Sequence, residues 1–214
     1  MTIPAAELVY RIGYTLTTIS SIGHGIFVLY KNPRSRINVV WALFSTAVAV
    51  WAWFVLAAMF DPVDDRALLA ARISQYAASF IPVFFTHFCL ALLGQPARRN
   101  GALWIGYGCI AVLSVTFLTP WFVPSAGPIA VFRHFPQPGP LYVAFTIHFF
   151  WLVLYGYWRL FRHLHHQSPD RQNQIRWVAT ATVIGYACGS TMFLPAYGIA
   201  VNPLPSLFTR CTSP

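Results

Sequence analysis

The sequence predicts an all-α fold, a polytopic membrane bundle of six transmembrane helices with its N-terminus outside. Of the 214 residues, 57% are hydrophobic and only 9% are charged, whereas soluble domains carry about 25% charged residues. Six apolar stretches are each long enough to cross a bilayer of about 30 Å, which takes about 20 helical residues. A membrane barrel would instead need alternating segments of about ten residues, a pattern that this sequence does not have.

The predicted spans follow one another with mostly short connections. They are residues 8–30, 37–60, 73–93, 101–122, 141–161 and 177–201. The second is the clearest, because residues 37–60 carry no charge. The first carries Arg11 near its start and lacks both a basic leader and a small-residue cleavage pattern, so we interpret it as a retained helix rather than a signal peptide. Residues 1–201 thus predict one helical bundle, followed by a short tail, residues 202–214, without a domain.

The basic residues between the spans predict the orientation. Nine lie on one side of the predicted bundle: Lys31, Arg34, Arg36, Arg98, Arg99, Arg159, Arg162, Arg171 and Arg176. Five lie on the other: Arg11, Arg66, Arg72, Arg133 and Arg210. The positive-inside rule makes the first side cytoplasmic and places both termini outside. The net charge of +9 is spread over short loops, which favours contact with lipid headgroups over nucleic acid.

The longest connections predict two features outside the membrane. Residues 119–140 are rich in proline, which removes backbone donors, and this predicts an irregular loop. Phe132 and Phe135 make the loop a candidate cap over a ligand cavity, the alternative being an interfacial connector. Asp61, Asp64 and Asp65 are interpreted as a solvated turn.

Histidines inside the spans are candidate ligand-binding residues, His87 and His148 above all, with His24 as a third. The alternative is that each is satisfied by a hydroxyl or carbonyl group of a neighbouring helix. His163, His165 and His166 form too small a cluster for a di-iron site, and the four cysteines show no CxxC spacing. We therefore predict no metal and no cofactor. The sequence also has no Walker A loop, GxSxG or HExxH motif, so we predict no catalytic residues and no enzyme activity.

The last span and the residues before it carry the most specific pattern. Ser168, Pro169 and Asp170 predict a helix start, with a serine cap, a proline in the first turn and an acidic residue near the helix dipole. The helix would run unbroken through a basic collar into the membrane and form a stiff hairpin with helix 5. Its candidate signal-transmitting residues are Arg171, Gln174 and Arg176. Its candidate helix-packing residues are Gly185, Gly189 and Pro195.

These residues resemble a known family. The matching pattern comprises Asn38, Pro82 to Phe88, Pro138-Gly139-Pro140, the collar from Arg171 to Arg176, Gly185, Gly189 and Phe193-Leu-Pro195-x-x-Gly198. Together they are similar to the N-terminal seven-helix membrane region of bacterial sensor histidine kinases, which is also found on diguanylate cyclases. The resemblance implies a sensory input module that a seventh helix connects to PAS, kinase or cyclase domains. Residues 202–214 leave no room for a seventh helix, so we expect a region truncated after the sixth helix and without an output domain.

Three hypotheses for the function remain open. The first is a membrane-embedded sensory input module of a histidine kinase-type protein in the bacterial inner membrane. Its partners would be the lipid bilayer, a second copy in a homodimer, and a separate cytoplasmic signalling protein. The second hypothesis is a small six-helix transporter or channel. The third is a haem- or metal-dependent redox protein.

Overall fold

The computed structural model describes residues 5–129 and 132–199 and confirms the all-α membrane bundle. The described residues form α1 (Ala5–Lys31), α2 (Arg36–Phe60), α3 (Asp64–Leu92), α4 (Gly101–Thr116), α5 (Pro140–His163), α6 (Pro169–Ser190) and the short α7 (Phe193–Ala196). Two strands, β1 (Ala126–Ile129) and β2 (Phe132–Pro136), and two 3₁₀ turns, Ala97–Arg99 and Leu164–His166, complete this part of the chain.

Five helical segments of the described chain are long and apolar enough to cross a membrane. They are Glu7–Lys31, Arg36–Phe60, Asp64–Leu92, Pro140–His166 and Pro169–Ala196. The helix α4 is also apolar but has only 16 residues, roughly 24 Å of helix at 1.5 Å per residue. The number of spans and the orientation of the N-terminus stay predictions.

The chain divides into two compact units, Met1–His165 and His166–Pro214. In the first unit α3 is the central helix and packs against α2, α4, α5 and both strands. Small residues form part of its contact with α2, where Ala70 and Ala71 meet Ala58 in one buried cluster. Small side chains let two backbones approach closely, which is how membrane helices gain packing contacts.

The helix α4 ends at Thr116, so the predicted extent to residue 122 was wrong. Beyond Thr116 the chain turns back on itself, because the amide and the hydroxyl of Thr119 both donate to the Thr116 carbonyl, at 2.9 and 2.7 Å. Pro120 follows at once and has no N–H with which to continue the helix.

The proline-rich connection is a folded hairpin, so the prediction of an irregular loop was wrong. The strands β1 and β2 pair antiparallel with Ala126 opposite Pro136 and Ile129 opposite Phe132, and the register shifts between Gly127 and Ile129. Prolines are tolerated here because a two-stranded sheet consists of edge strands only. We name the end of the first unit that holds this hairpin the hairpin end, and the opposite end the basic end.

In the second unit α6 begins at Pro169 as predicted, with Ser168 at the cap position. The Ser168 side chain makes no capping hydrogen bond, so that part of the prediction was wrong. As predicted, α6 runs unbroken from Pro169 through the collar, and it ends at Ser190. The short α7 follows after a turn. The predicted end at residue 201 and the tail, residues 202–214, lie outside the described residues.

The end of α7 explains why the pattern Phe193-Leu-Pro195-x-x-Gly198 ends in glycine. Gly198 has a φ of +75°, a left-handed conformation that glycine adopts without steric cost. The Gly198 amide donates to the Pro195 carbonyl and the Ile199 amide to the Leu194 carbonyl, both at 3.0 Å. This pair of bonds is the Schellman motif, which satisfies carbonyl groups left free at a helix end.

Candidate functional site at the hairpin end

Two phenylalanines of the hairpin are buried against the helices. The ring of Phe132 lies 4.5 Å from that of Tyr10 on α1 and 6.3 Å from that of Phe60 on α2, both edge to face. Phe135 packs beside Phe132 at 6.1 Å and is equally buried. Edge-to-face rings add stabilisation beyond the area that they bury. Phe132 therefore joins the hairpin to two helices at once.

A buried histidine joins the same strand to α3. The Nε2 atom of His134 lies 2.9 Å from an Asp64 carboxylate oxygen, and His134 is only 5% exposed. Since a carboxylate accepts, Nε2 carries the hydrogen and donates it. Sequence reasoning missed His134 and assigned Asp64 to a solvated turn. The alternation of Phe132, Arg133 and His134, with only the arginine exposed, was the available signal for an inward-facing histidine.

The segment before the hairpin is bonded to α3 and to the start of α5. Arg72 on α3 donates from Nε to the Val123 carbonyl at 3.0 Å. The amide of Gly139 donates to the Phe122 carbonyl at 3.0 Å. A Cβ atom on Gly139 would lie 2.4 Å from the Trp121 carbonyl oxygen, so only glycine fits this approach. The Pro138-Gly139-Pro140 pattern thus lets the start of α5 pack closely against the segment that precedes the hairpin.

An open pocket of about 410 Å³ lies beside the hairpin, between α1 and α2. Its lining includes Arg11, Thr15, Leu56, Phe60 and Asp61. The Arg11 guanidinium lies 4.2 Å from the centre of the Phe60 ring and 2.7 Å from a Glu7 carboxylate oxygen. The pocket thus offers a cation, a carboxylate and an apolar wall, and Phe60 connects that wall to Phe132.

Below the hairpin, polar side chains connect α3 to α5. We name these contacts the polar seam. The Tyr142 hydroxyl donates to Gln75 at 3.1 Å, His148 Nε2 contacts the Ser79 carbonyl at 3.2 Å, and the Thr86 hydroxyl donates to the Leu152 carbonyl at 2.9 Å. Hydrogen bonds between membrane helices are worth about 0.6 kcal/mol each on average, so the seam sets the register of α3 and α5 more than their stability.

The candidate ligand-binding histidines occupy different places. His148 lies in the seam, and its Nδ1 atom is buried without a hydrogen-bond partner in the described part of the chain. His87 contacts the Tyr107 hydroxyl on α4 at 3.0 Å, and His24 contacts the Ser20 carbonyl of its own helix at 2.8 Å. His148 and His87 thus each have a carbonyl or hydroxyl partner on a neighbouring helix, whereas the partner of His24 lies on its own helix. His148 therefore belongs to the polar seam below the hairpin, whereas His87 lies against α4.

The collar and the packing glycines lie in the second unit. Arg171 donates to Gln174 at 2.9 Å on the exposed first turns of α6. Arg176, Gly185 and Gly189 follow on the same helix, and Pro195 lies in α7 and is buried. Their signalling and packing roles stay predictions. Within the described ranges no three His, Cys, Asp or Glu residues are grouped so that they could hold a metal ion.

Comparison with known families gives a match over most of the chain. Residues 14–211 match the family described as the N-terminal 7TM region of histidine kinase. No curated protein and no solved structure matches this chain. The matched range contains the hairpin, the polar seam and the collar.

Proposed function

Since the chain belongs to the family of N-terminal seven-helix membrane regions of histidine kinases, we propose that it is a sensor whose hairpin end receives the signal. The family is a non-catalytic input region, so the output reaction belongs to a histidine kinase domain. We place the protein in the bacterial inner membrane with the basic end in the cytoplasm, in agreement with the positive-inside rule. In this proposal the protein forms a homodimer and interacts with a separate cytoplasmic signalling protein.

The observation that carries the proposal is the set of contacts made by one short hairpin. Phe132 contacts Tyr10 on α1 and Phe60 on α2, while His134 contacts Asp64 at the start of α3. A strand of five residues thus touches three helices. Any change in the spacing of α1 and α2 alters the position of the strand and, through Asp64, that of α3.

The ligand of this proposal enters the pocket between α1 and α2. It contacts Phe60, displaces Phe132 and Phe135, and shifts the hairpin. A ligand drives such a change only if it binds two conformations with different affinity. The Arg11 and Asp61 side chains of the pocket suit a small molecule that carries both polar groups and an apolar part.

The polar seam then carries the change from α3 to α5. Because the Ser79 and Leu152 carbonyls accept bonds from across the helix interface, a sliding of α3 breaks these bonds unless α5 follows. We propose that His148, whose Nδ1 atom is buried and has no hydrogen-bond partner among the described residues, is the seam residue that responds to the ligand. His87 is the equivalent candidate on the α4 side. Arg171, Gln174 and Arg176 receive the movement in the cytoplasm.

A binding experiment with the full chain in lipid nanodiscs tests this proposal. Small molecules are screened by the shift that they cause in the melting temperature. For each one that binds, hydrogen–deuterium exchange of residues 171–176 is measured with and without it. We expect the ligand to change exchange in the collar of the wild type but not in a Phe60→Ala variant.

Two outcomes would contradict sensing. A ligand that binds at the hairpin end and leaves exchange in the collar unchanged removes the transmission step. A ligand that crosses the membrane of sealed liposomes containing the protein, and not of empty ones, supports the six-helix transporter instead.

A further inference from the structure

The basic end of the first unit carries positive charge without compensation. Its basic residues are Lys31, Arg34, Arg36, Arg98, Arg99, Arg159 and Arg162, and the four acidic residues of this unit, Glu7, Asp61, Asp64 and Asp65, all lie towards the hairpin end. Arg159 accordingly bonds to the neutral amide of Gln95 rather than to a carboxylate. A surface of this charge attracts anions.

On α5, two of these cations lie against one exposed ring. The Arg162 and Arg159 guanidinium carbons lie 5.0 and 5.8 Å from the centre of the Trp158 ring, and Trp158 is 48% exposed. These distances are within the range of cation–π contacts. The ring thus keeps guanidinium groups at the surface of the helix, at the level where tryptophan meets lipid headgroups.

A second tryptophan fixes the basic residues that precede α4. Trp104 donates from its indole nitrogen to the Arg98 carbonyl at 3.1 Å and is 61% exposed. This bond orders the 3₁₀ turn that carries Arg98 and Arg99. Asn100 connects this basic turn to α5. Its side-chain oxygen accepts from the Leu103 amide and caps α4, and its side-chain nitrogen donates to the Tyr155 hydroxyl at 2.7 Å.

We propose that Arg98, Arg99, Trp104, Trp158 and Arg162, named here the headgroup cluster, bind the phosphate of an anionic phospholipid. Guanidinium groups match phosphate oxygens in pairs, which gives geometric specificity as well as attraction. An acidic protein would satisfy the charge equally well. The lipid is favoured because exposed apolar side chains continue the surface from the two tryptophans: Val112 lies eight residues after Trp104 on α4, and Leu154 lies four residues before Trp158 on α5. Both would lie along its acyl chains.

Lipid retention in the full-length protein tests the cluster. The protein is reconstituted in nanodiscs of mixed phosphatidylglycerol and phosphatidylcholine, and native mass spectrometry counts the lipids that stay bound after release. The test variant is Arg98→Gln with Arg162→Gln. The control is Lys31→Gln with Arg34→Gln, which removes the same charge from the same end but outside the cluster.

We expect the test variant to retain about tenfold less phosphatidylglycerol than the wild type. Each basic residue near the surface attracts anionic lipid, and the cluster adds paired contacts. The control is expected to lose much less. Equal losses in both variants would mean diffuse attraction and would overturn the proposal. So would equal retention of the two lipids by the wild type, or complete displacement of phosphatidylglycerol by millimolar inorganic phosphate.

A second variant keeps the test decisive if the glutamine variant does not fold. Arg98→Lys with Arg162→Lys keeps both charges and removes the planar fork, so retention is expected to fall about threefold. Unchanged retention would contradict paired recognition of the phosphate. Binding of an acidic partner by the basic end, with no preference between the lipids, would assign the surface to a protein instead.

Discussion

His134 on the hairpin donates to Asp64 in the first turn of α3 across a separation of 70 residues. The histidine is buried, while the carboxylate side chain is 87% exposed. The bond therefore fixes the hairpin to α3 at a point that water and solutes can reach from the aspartate side. It directly connects the strand that holds Phe132 to the central helix of the bundle.

The first prediction concerns this bond. We expect His134→Ala to weaken docking of the hairpin by about 1 kcal/mol, the typical value of one hydrogen bond. Amide exchange of residues 126–136 should then become about fivefold faster. Asp65→Asn, which removes a neighbouring exposed carboxylate, is the control. Unchanged exchange in His134→Ala would show that the bond does not hold the hairpin.

The second prediction concerns the close approach at Gly139. A Cβ atom there meets the Trp121 carbonyl oxygen at 2.4 Å and the Pro120 carbonyl oxygen at 2.8 Å. Since backbone atoms must move, we expect Gly139→Ala to destabilise the hairpin end by about 1–3 kcal/mol, measured as a lower melting temperature in nanodiscs.

A matched glycine in the same hairpin provides the comparison. A Cβ atom on Gly127 meets only the Gln137 amide nitrogen at 3.5 Å, which is an ordinary contact. Gly127→Ala should therefore melt close to the wild type. If the two variants melted alike, the approach at Gly139 would not constrain the hairpin.

The third prediction concerns the packing of α5 on α3. A Cβ atom on Gly156 would lie 3.0 Å from the Phe85 ring and 3.4 Å from the Cys89 sulfur. We expect Gly156→Leu to push the helices apart and to break the bond between Thr86 and Leu152. The readout is labelling of Cys89, fully buried in the wild type, by a small membrane-permeable thiol reagent.

This labelling is done with Cys89 as the only cysteine, and we expect it to be faster in Gly156→Leu. Gly108→Leu is the control, because a Cβ atom on Gly108 meets nothing within 4 Å. Slow labelling of Cys89 in both variants would mean that α5 and α3 are not held together at Gly156.

Much of the helical part of the fold could be predicted because long apolar runs are local signals. Pro169 was correctly placed at a helix start and Phe60 at a helix end. The ends of α4 and α6 were harder to predict, because apolar composition continues past Thr116 and past Ser190. The hydrogen bonds there instead change to those of turns, such as Thr119 to Thr116 and Thr191 to Cys188. The break after Thr116 depends on the Thr119 side chain and on Pro120, a combination that hydropathy does not register.

The hairpin could not be predicted for a different reason. Its strands are short, contain prolines, and are held by partners far away in the sequence, so local propensity favours a loop. The sequence did identify Phe132 and Phe135 as candidate residues, but it gave no indication that Tyr10 and Phe60 are the neighbours of Phe132. Similarly, the histidines in the helices could be named, whereas the bonding of His148 to Ser79 required the packing of α5 on α3.

The most direct test of the account measures, without any ligand, whether the hairpin end is coupled to the collar. Hydrogen–deuterium exchange of residues 171–176 is compared in nanodiscs between the wild type, Phe132→Leu and Trp121→Leu. Phe132→Leu keeps most of the buried volume but loses the ring contacts, whereas Trp121 is largely exposed. We expect altered exchange in the collar of Phe132→Leu only. Exchange that changed within the hairpin of Phe132→Leu but stayed at the wild-type rate in residues 171–176 would contradict it.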